Sequence, residues 1–332
     1  MRVVFFTPYY KQNRGNSTTA KRLEHGLSKK VEFSLFPYEE LSVNPTLLEW
    51  MEKAEMYHIL HFSRFVQWAE KNEVTLDKPY IVTSGGTDLN HSLIEDEERY
   101  LPMLREAKAI TVFTQQAKRM LIKDYGLSDK SVHVIPQSIY LPTTDHTLQT
   151  LTLPDGYPKL LLPAGIRPVK DVLFALESLI KLSEDFTELC FLLVGANLDE
   201  EELERVKKAE KKYDWLHYLP EVELGQMKKL YEWGDVVLNT SISEGQPTAL
   251  LEAMSLKKPV IARDNVGNAS IIQHGKNGLL FQSQEEFYHS IKKVISDNKT
   301  YKQLSDHGYQ TIKENHTIKK EIDSYMELYK GY

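Results

Sequence analysis

Short, β-branched apolar runs alternate with amphipathic stretches along this chain of 332 residues. In the first half the runs are Val3–Phe6, Val31–Leu35, Tyr57–His61, Tyr80–Thr83, Ile110–Phe113 and Val132–Ile135. In the second half they are Leu160–Pro163, Cys190–Val194, Leu216–Leu219, Val236–Asn239, Val260–Ala262 and Gly278–Phe281. Stretches of helical period lie between them, such as Asp171–Leu182, Glu200–Tyr213 and Leu224–Trp233. That alternation confines the chain to β-α units stacked around parallel sheets. The length suits two domains, and 41% apolar residues suffice to fill two cores. Leu141–Pro158, rich in Thr, Pro and Asp, follows neither period and reads as the linker. The expected fold class is α/β, with two doubly wound domains at 1–150 and 151–316. They would face each other across a cleft at the carboxyl ends of their strands.

Composition removes several classes of function. A net charge of −6, with neither half basic, gives no electrostatic case for nucleic acid. Lys21, Arg22, Lys29 and Lys30 suit either peripheral contact with an anionic membrane surface or a solvated helix face, the commoner use of such charges. No run approaches the ~18 apolar residues of a membrane span. The opening Met1–Pro8 reads as a strand, its apolar run being too short for a signal peptide. One cysteine, Cys190, permits no intrachain disulfide, so a reducing, cytoplasmic location is expected. No two of the 16 glycines stand two apart, which removes the G-x-G-x-x-G dinucleotide fingerprint. Gly275-Lys276 lacks the upstream glycine of a P-loop, and there is no Gly-x-Ser-x-Gly elbow. None of the 11 histidines forms H-x-x-x-H or joins a cysteine cluster, so no metal and no cofactor is expected. His58 and His61, three apart on an expected strand, read as core-edge residues.

The chemistry concentrates in Ser241-Ile-Ser-Glu244-Gly245-Gln246-Pro247-Thr248-Ala249-Leu-Leu-Glu252-Ala-Met254. Glu244 stands in a turn, and Pro247 is a favoured residue at a helix start. Such a start leaves the amides of Thr248 and Ala249 without intrahelical partners, a setting that suits an anion. Glu252 then lies on a helix whose other residues are apolar, where a carboxylate is costly unless hydrogen-bonded. The pair reads either as half-exposed surface acids or as a site for a hydroxyl-rich anionic ligand across a helix N-terminus. A second locus is Leu160-Leu-Leu-Pro-Ala-Gly165-Ile-Arg167-Pro-Val-Lys170-Asp171, a strand running into two cations. Arg167 and Lys170 read either as surface cations flanking a turn or, from a strand's carboxyl end, as a planar fork and a point charge offered to a diphosphate.

Glu244-Gly245-x-Pro-x-x-Leu-Leu-Glu252-Ala-Met, Lys258-Pro-Val-Ile-Ala262 and Gly275-Lys-Asn-Gly-Leu-Leu-Phe281 together resemble the donor-site signature of the family 4 retaining glycosyltransferases. The likeness is strong over about 159–281 and looser before it. It implies the GT-B fold, with two Rossmann-like domains, and an N-terminal acceptor side before a donor-binding half. A C-terminal helix, near 317–332, would return to the first domain. It implies that Glu244 touches the donor sugar, Glu252 holds the ribose, and the intervening amides face sugar and diphosphate. Arg167 and Lys170 are implied at the diphosphate, three apart where the family's spacing is five or six.

Gly15-Asn16-x-x-Thr19-Ala20 narrows the resemblance to a short subgroup that includes the glycosyltransferase 1 domain-containing proteins and the selenosugar synthases. Gly15 allows close backbone approach, and Asn16 or Ser17 suits a helix cap. Gly85-Gly86-Thr87-Asp88 stands where many members carry His-Gly-Thr-Asp, so an imidazole that reaches the donor sugar is replaced by Gly85. Asp88 remains a candidate for the reaction centre or acceptor side, or a helix cap. Ser270 and Pro136-Gln137-Ser138 also depart from the family pattern. The resemblance thus implies a metal-independent retaining transferase using a nucleotide-diphosphate sugar, expected to be a UDP-sugar, with an unidentified acceptor. The expected catalytic groups are Glu244, Arg167 and Lys170. Substrate-binding groups are Glu252, Gly245, Gln246, Thr248, Ala249, Gly15, Asn16, Asp88 and Gly195. A sugar synthase with an inorganic acceptor such as selenophosphate, and a non-catalytic nucleotide-sugar-binding protein, are the alternatives.

Overall fold

A computed structural model describes residues 1–12, 14–142 and 151–331. The chain divides into two compact units, Met1–Ser138 with His316–Tyr332, and Ile139–Asn315. The expected boundary at 150 and much of the expected linker fall on residues 143–150, outside the described residues.

The first unit holds β1 (Arg2–Thr7), β2 (Glu32–Pro37), β3 (Met56–Leu60), β4 (Tyr80–Thr83), β5 (Ala109–Val112) and β6 (Val132–Val134). The second holds β7 (Lys159–Pro163), β8 (Cys190–Val194), β9 (Leu216–Leu219), β10 (Val236–Asn239), β11 (Val260–Arg263) and β12 (Leu279–Phe281). Sheet orders are β2-β1-β3-β4-β5-β6 and β12-β11-β10-β7-β8-β9, and every pair is parallel. Each expected run is a strand, because a parallel sheet covered on both faces needs apolar residues on both. In β1, Val4 and Phe6 enter one core with Tyr57 and Ile59, while Val3 and Phe5 enter another with Leu23 and Tyr325. Strand order reverses between β1 and β3 in one sheet and between β7 and β10 in the other. Those reversals are where open α/β sheets bind ligands.

One expected helix starts late. Asp171 adopts a left-handed conformation (φ 42°) and the helix runs Leu176–Asp185. Arg263 Nη1 donates to Asp171 Oδ2 at 2.7 Å, so a tertiary ion pair takes the residue that would have opened the helix.

In the first unit, helix Ile318–Lys330 packs on helix Gly15–Leu27. A Cβ on Gly26 would stand 2.3 Å from Ile322 Cγ1, so glycine sets that close approach. Arg22 corrects the reading of a basic surface run: it is fully buried. Its Nε donates to Glu321 Oε2 at 2.9 Å and its Nη2 to Gln137 Oε1 at 3.0 Å. Buried charge is tolerated only when paired in this way. His58 is likewise core rather than core edge, its ring nitrogens 2.7 Å from Thr83 Oγ1 and 2.6 Å from Tyr329 Oη. Burial lowers its pKa to about 3, so the imidazole is neutral.

Candidate active site

The loops leaving β7 and β10 meet at the switch point of the second sheet. Asn239, the last residue of β10, accepts from the amide of Ser241 at 3.0 Å, which closes a tight turn. Its Nδ2 donates to Glu244 Oε1 at 3.1 Å, joined by Ser241 Oγ at 2.7 Å and Lys170 Nζ at 2.5 Å. Three donors thus converge on one carboxylate oxygen, and Oε2 takes part in none of them. Burial pushes the Glu244 carboxyl up, but the Lys170 charge and these hydrogen bonds outweigh it and hold the pKa below the ordinary carboxylate range.

The supporting bonds are equally local. Thr240 Oγ1 donates to the Lys170 carbonyl at 2.9 Å, and Ile242 N to Val169 O at 2.9 Å, which ties the two loops together. Asn268 Nδ2 reaches Asn239 Oδ1 at 3.1 Å, and Asn265 Nδ2 reaches Ser241 O at 2.8 Å. A Cβ on Gly267 would lie 2.5 Å from both Glu244 Cβ and Glu244 O, so only glycine lets this segment reach the acid's backbone. Arg167 is half-buried in extended conformation (φ −166°) ahead of the Pro168–Lys170 turn. Gly195 lies across from the end of β7, where an added Cβ would stand 1.9 Å from Ala164 O.

Gln246 is buried and Pro247 is extended ahead of helix Thr248–Ser255, whose start carries no side-chain cap. The Thr248 and Ala249 amides sit in that first turn. Glu252 is 4% exposed and accepts from Tyr231 Oη at 2.6 Å. A tyrosine from helix Met227–Trp233 thus supplies a polar partner of the kind an acid on an apolar helix requires. Burial, and then the adjacent Glu252 charge, raise the Tyr231 pKa well above its usual value.

In the first unit, Gly15 and Asn16 open the helix that follows β1. A Cβ on Gly15 would meet nothing within 4 Å, so no packing among the described residues demands glycine there. The Asp88 carboxylate is wholly buried and turned on its own loop. It accepts from Ser84 Oγ at 2.7 Å, Leu89 N at 3.0 Å and Gly85 N at 3.1 Å. His61 leaves the expected strand: β3 ends at Leu60, and His61 caps the next helix in left-handed conformation (φ 70°). Its buried ring lies 3.0 Å from Thr87 Oγ1.

The sequence reading names Glu244 for the sugar and Lys170 for the diphosphate without pairing them, and gives no site role to Asn239, Ser241, Tyr231, Gly267 or His61. The polar triplet Asn239-Thr240-Ser241 closing an apolar strand was the available signal for the first two. Tyr231, Gly267 and His61 carry none, because each is recruited by packing. Among the described residues no group of three or more His, Cys, Asp or Glu side chains could hold a metal ion, and no helix is long and apolar enough to cross a membrane.

The sequence model of the family described as "Glycosyl transferases group 1" matches residues 144–311. Glycosyltransferase 1 domain-containing protein 1 of Xenopus tropicalis is 26% identical, over 98% of this chain and 96% of its own length. Among solved structures, Anabaena HepE in complex with UDP-glucose superposes with a TM-score of 0.76 at 14% identity, covering 99% of each chain. Sucrose-phosphate synthase of Thermosynechococcus elongatus gives 0.74 at 15%, covering 99% of this chain and 98% of its own. At such identities the structural likeness speaks for the fold, which is GT-B.

Proposed function

Because this chain belongs to the group 1 glycosyl transferases, we propose that it moves a sugar from a UDP-sugar to a hydroxyl-bearing acceptor, with retention at the anomeric carbon and without a metal. The observation that carries this reading is the Lys170–Glu244 pair at the β7/β10 reversal. A carboxylate there, held ionised below the ordinary range, accepts hydrogen bonds from sugar hydroxyls. The ammonium beside it, with the Arg167 guanidinium three residues earlier, offsets charge growing on a departing nucleoside diphosphate. That is the task a divalent cation performs in metal-dependent transferases. The amides of Gly245, Gln246, Thr248 and Ala249 lie on the same segment and serve phosphate or sugar oxygens. Glu252, already shaped by Tyr231, is assigned to the ribose hydroxyls. Gly15, where an added Cβ would meet nothing within 4 Å among the described residues, and Asn16 beside it are assigned to substrate approach. HepE binds UDP and UDP-glucose, which supports the choice of nucleotide. The acceptor would attack from the face the diphosphate leaves.

Calorimetry with UDP, followed by release of UDP from UDP-glucose in EDTA, tests the proposal. UDP binding and turnover that survive chelation are expected, with an α-linked product. Absence of UDP binding would remove the donor assignment, and a loss of turnover restored by magnesium would remove metal independence.

A further inference from the structure

The reversal between β1 and β3 gives the first unit a binding position of its own. What stands there is a hydrogen-bonded chain running from the interior to an exposed residue, Thr87. His61 is 4% exposed and has a backbone conformation uncommon for a side-chain-bearing residue. Its Nδ1 is 3.4 Å from Ser63 Oγ and 4.0 Å from Asp88 Oδ2, and its Nε2 is 3.0 Å from Thr87 Oγ1. Ser63 Oγ gives its own proton to Ser92 Oγ at 3.1 Å, so toward His61 it can only accept. Asp88 is anchored by Ser84, Gly85 and Leu89 and presents negative charge on the same side. Both neighbours place the imidazole proton on Nδ1, which makes Nε2 an acceptor for the Thr87 hydroxyl.

Thr87 is exposed. With its proton committed to His61, its oxygen keeps lone-pair capacity as an acceptor for another group's O–H. The ring is also held sterically. A Cβ on Gly85 would come within 2.9 Å of His61 Cδ2 and 3.0 Å of Asn16 Oδ1, so His61 fills space that a side chain at 85 would need.

We propose that the first unit binds the hydroxyl of a polyhydroxylated acceptor on Thr87 Oγ1, with His61 the positioning residue that keeps this oxygen a hydrogen-bond acceptor. This rests on the glycosyltransferase reading, in which the acceptor contributes a hydroxyl. Protonating His61 would reverse the polarity of the chain, since imidazolium donates from both nitrogens. Burial lowers the His61 pKa first; Asp88 opposes, Arg64 adds to the lowering, and Glu39 opposes weakly. Tyr38, whose hydroxyl donates to the His61 carbonyl, is pushed far above neutrality and stays uncharged. The arrangement therefore keeps His61 neutral at pH 7 and loses its polarity in acid.

Two measurements test this. Nitrogen NMR of the full chain should show His61 Nε2 unprotonated at pH 7, with its resonance moved in Thr87→Val. A protonated Nε2 would overturn the proposal, whatever the enzyme's activity. With UDP-glucose as donor and glycerol as the acceptor probe, Thr87→Val should lower kcat/KM for glycerol about tenfold, the scale of one lost hydrogen bond. Thr87→Ser should stay within about threefold of wild type by the same measure, and UDP affinity should hold in both. Because Thr87 is exposed, neither change removes core packing, while Thr87→Val takes the hydroxyl donor from the buried His61 Nε2, so thermal melts accompany the kinetics. Transfer by Thr87→Val at the wild-type rate would also overturn the proposal. A wild-type protein that binds no UDP would instead count against the glycosyltransferase reading, leaving the His61 spectrum to decide this one.

Discussion

Lys170 and Glu244, 74 positions apart in sequence, meet at 2.5 Å with only 16% and 12% of their side chains exposed. Each comes from the loop after a strand, and the strands concerned, β7 and β10, are neighbours only in the folded sheet. The pair is one unit electrostatically, since the ammonium keeps the buried acid ionised. Glu244→Ala would strand Lys170, Ser241 and Asn239 without their shared acceptor. A loss of about 3 kcal/mol is expected, the low end for breaking a buried pair because both groups keep some water contact. Glu244→Gln preserves the shape and should lose much less stability while still impairing sugar transfer. Denaturant melts and turnover of the two variants separate the roles.

The same carboxylate gives a pH signature. Its folded pKa is depressed, so its contribution to stability is complete above the ordinary carboxylate value of 4.5 and is lost as pH falls through the lower folded value. Stability of the wild type should drop across that acidic window, and the Glu244→Gln protein should show a shallower drop there.

His58 produces a second, separable slope. Its pKa is 6.5 in the unfolded reference and about 3 when buried. Between those values the unfolded chain binds a proton the folded one refuses, so stability falls as pH falls. The slope for one proton is ~1.4 kcal/mol per pH unit. His58→Gln, though less stable at neutral pH, should lose that share of the slope in melts between pH 6 and 4.

Gly267 and Gly15 should behave oppositely. Gly267→Ala places a methyl 2.5 Å from Glu244 backbone and side-chain atoms. An overpacking cost of about 1–3 kcal/mol is expected, with turnover falling as Glu244 is displaced. Gly15→Ala meets nothing within 4 Å among the described residues and should stay within ~0.5 kcal/mol of wild type. If substrate approaches its backbone, Gly15→Val will cut turnover while sparing stability and UDP affinity. Thermal melts beside kinetics decide both cases.

Tyr231→Phe removes the 2.6 Å hydrogen bond to Glu252 in a buried setting. A loss of about 2 kcal/mol follows from removing a bond to a charged acceptor. Glu252→Ala should in addition weaken UDP binding by about 1.5–3 kcal/mol, since its assigned partners are the ribose hydroxyls. Calorimetric UDP affinity unchanged in a folded Glu252→Ala protein would refute that assignment.

The sequence alone determined the strands, because a parallel strand buried on both faces must be apolar along its length, and runs such as Cys190–Val194 stand out at their true limits. It also marked Glu244 and Glu252, since carboxylates eight positions apart around a proline and an apolar helix break the local pattern. The start of the helix after Asp171 was not legible: Asp171 is withdrawn by Arg263, 92 residues away. Nor was the burial of Arg22, whose partner Glu321 is 299 positions distant. His61 read as a strand residue, yet a left-handed turn lifts it off β3 into the space left open at Gly85. Periodicity reports what a residue's own element requires of it. Which charge meets which, and which glycine leaves room for which ring, depends on elements brought together only when the sheets form, and that the tertiary structure alone decided.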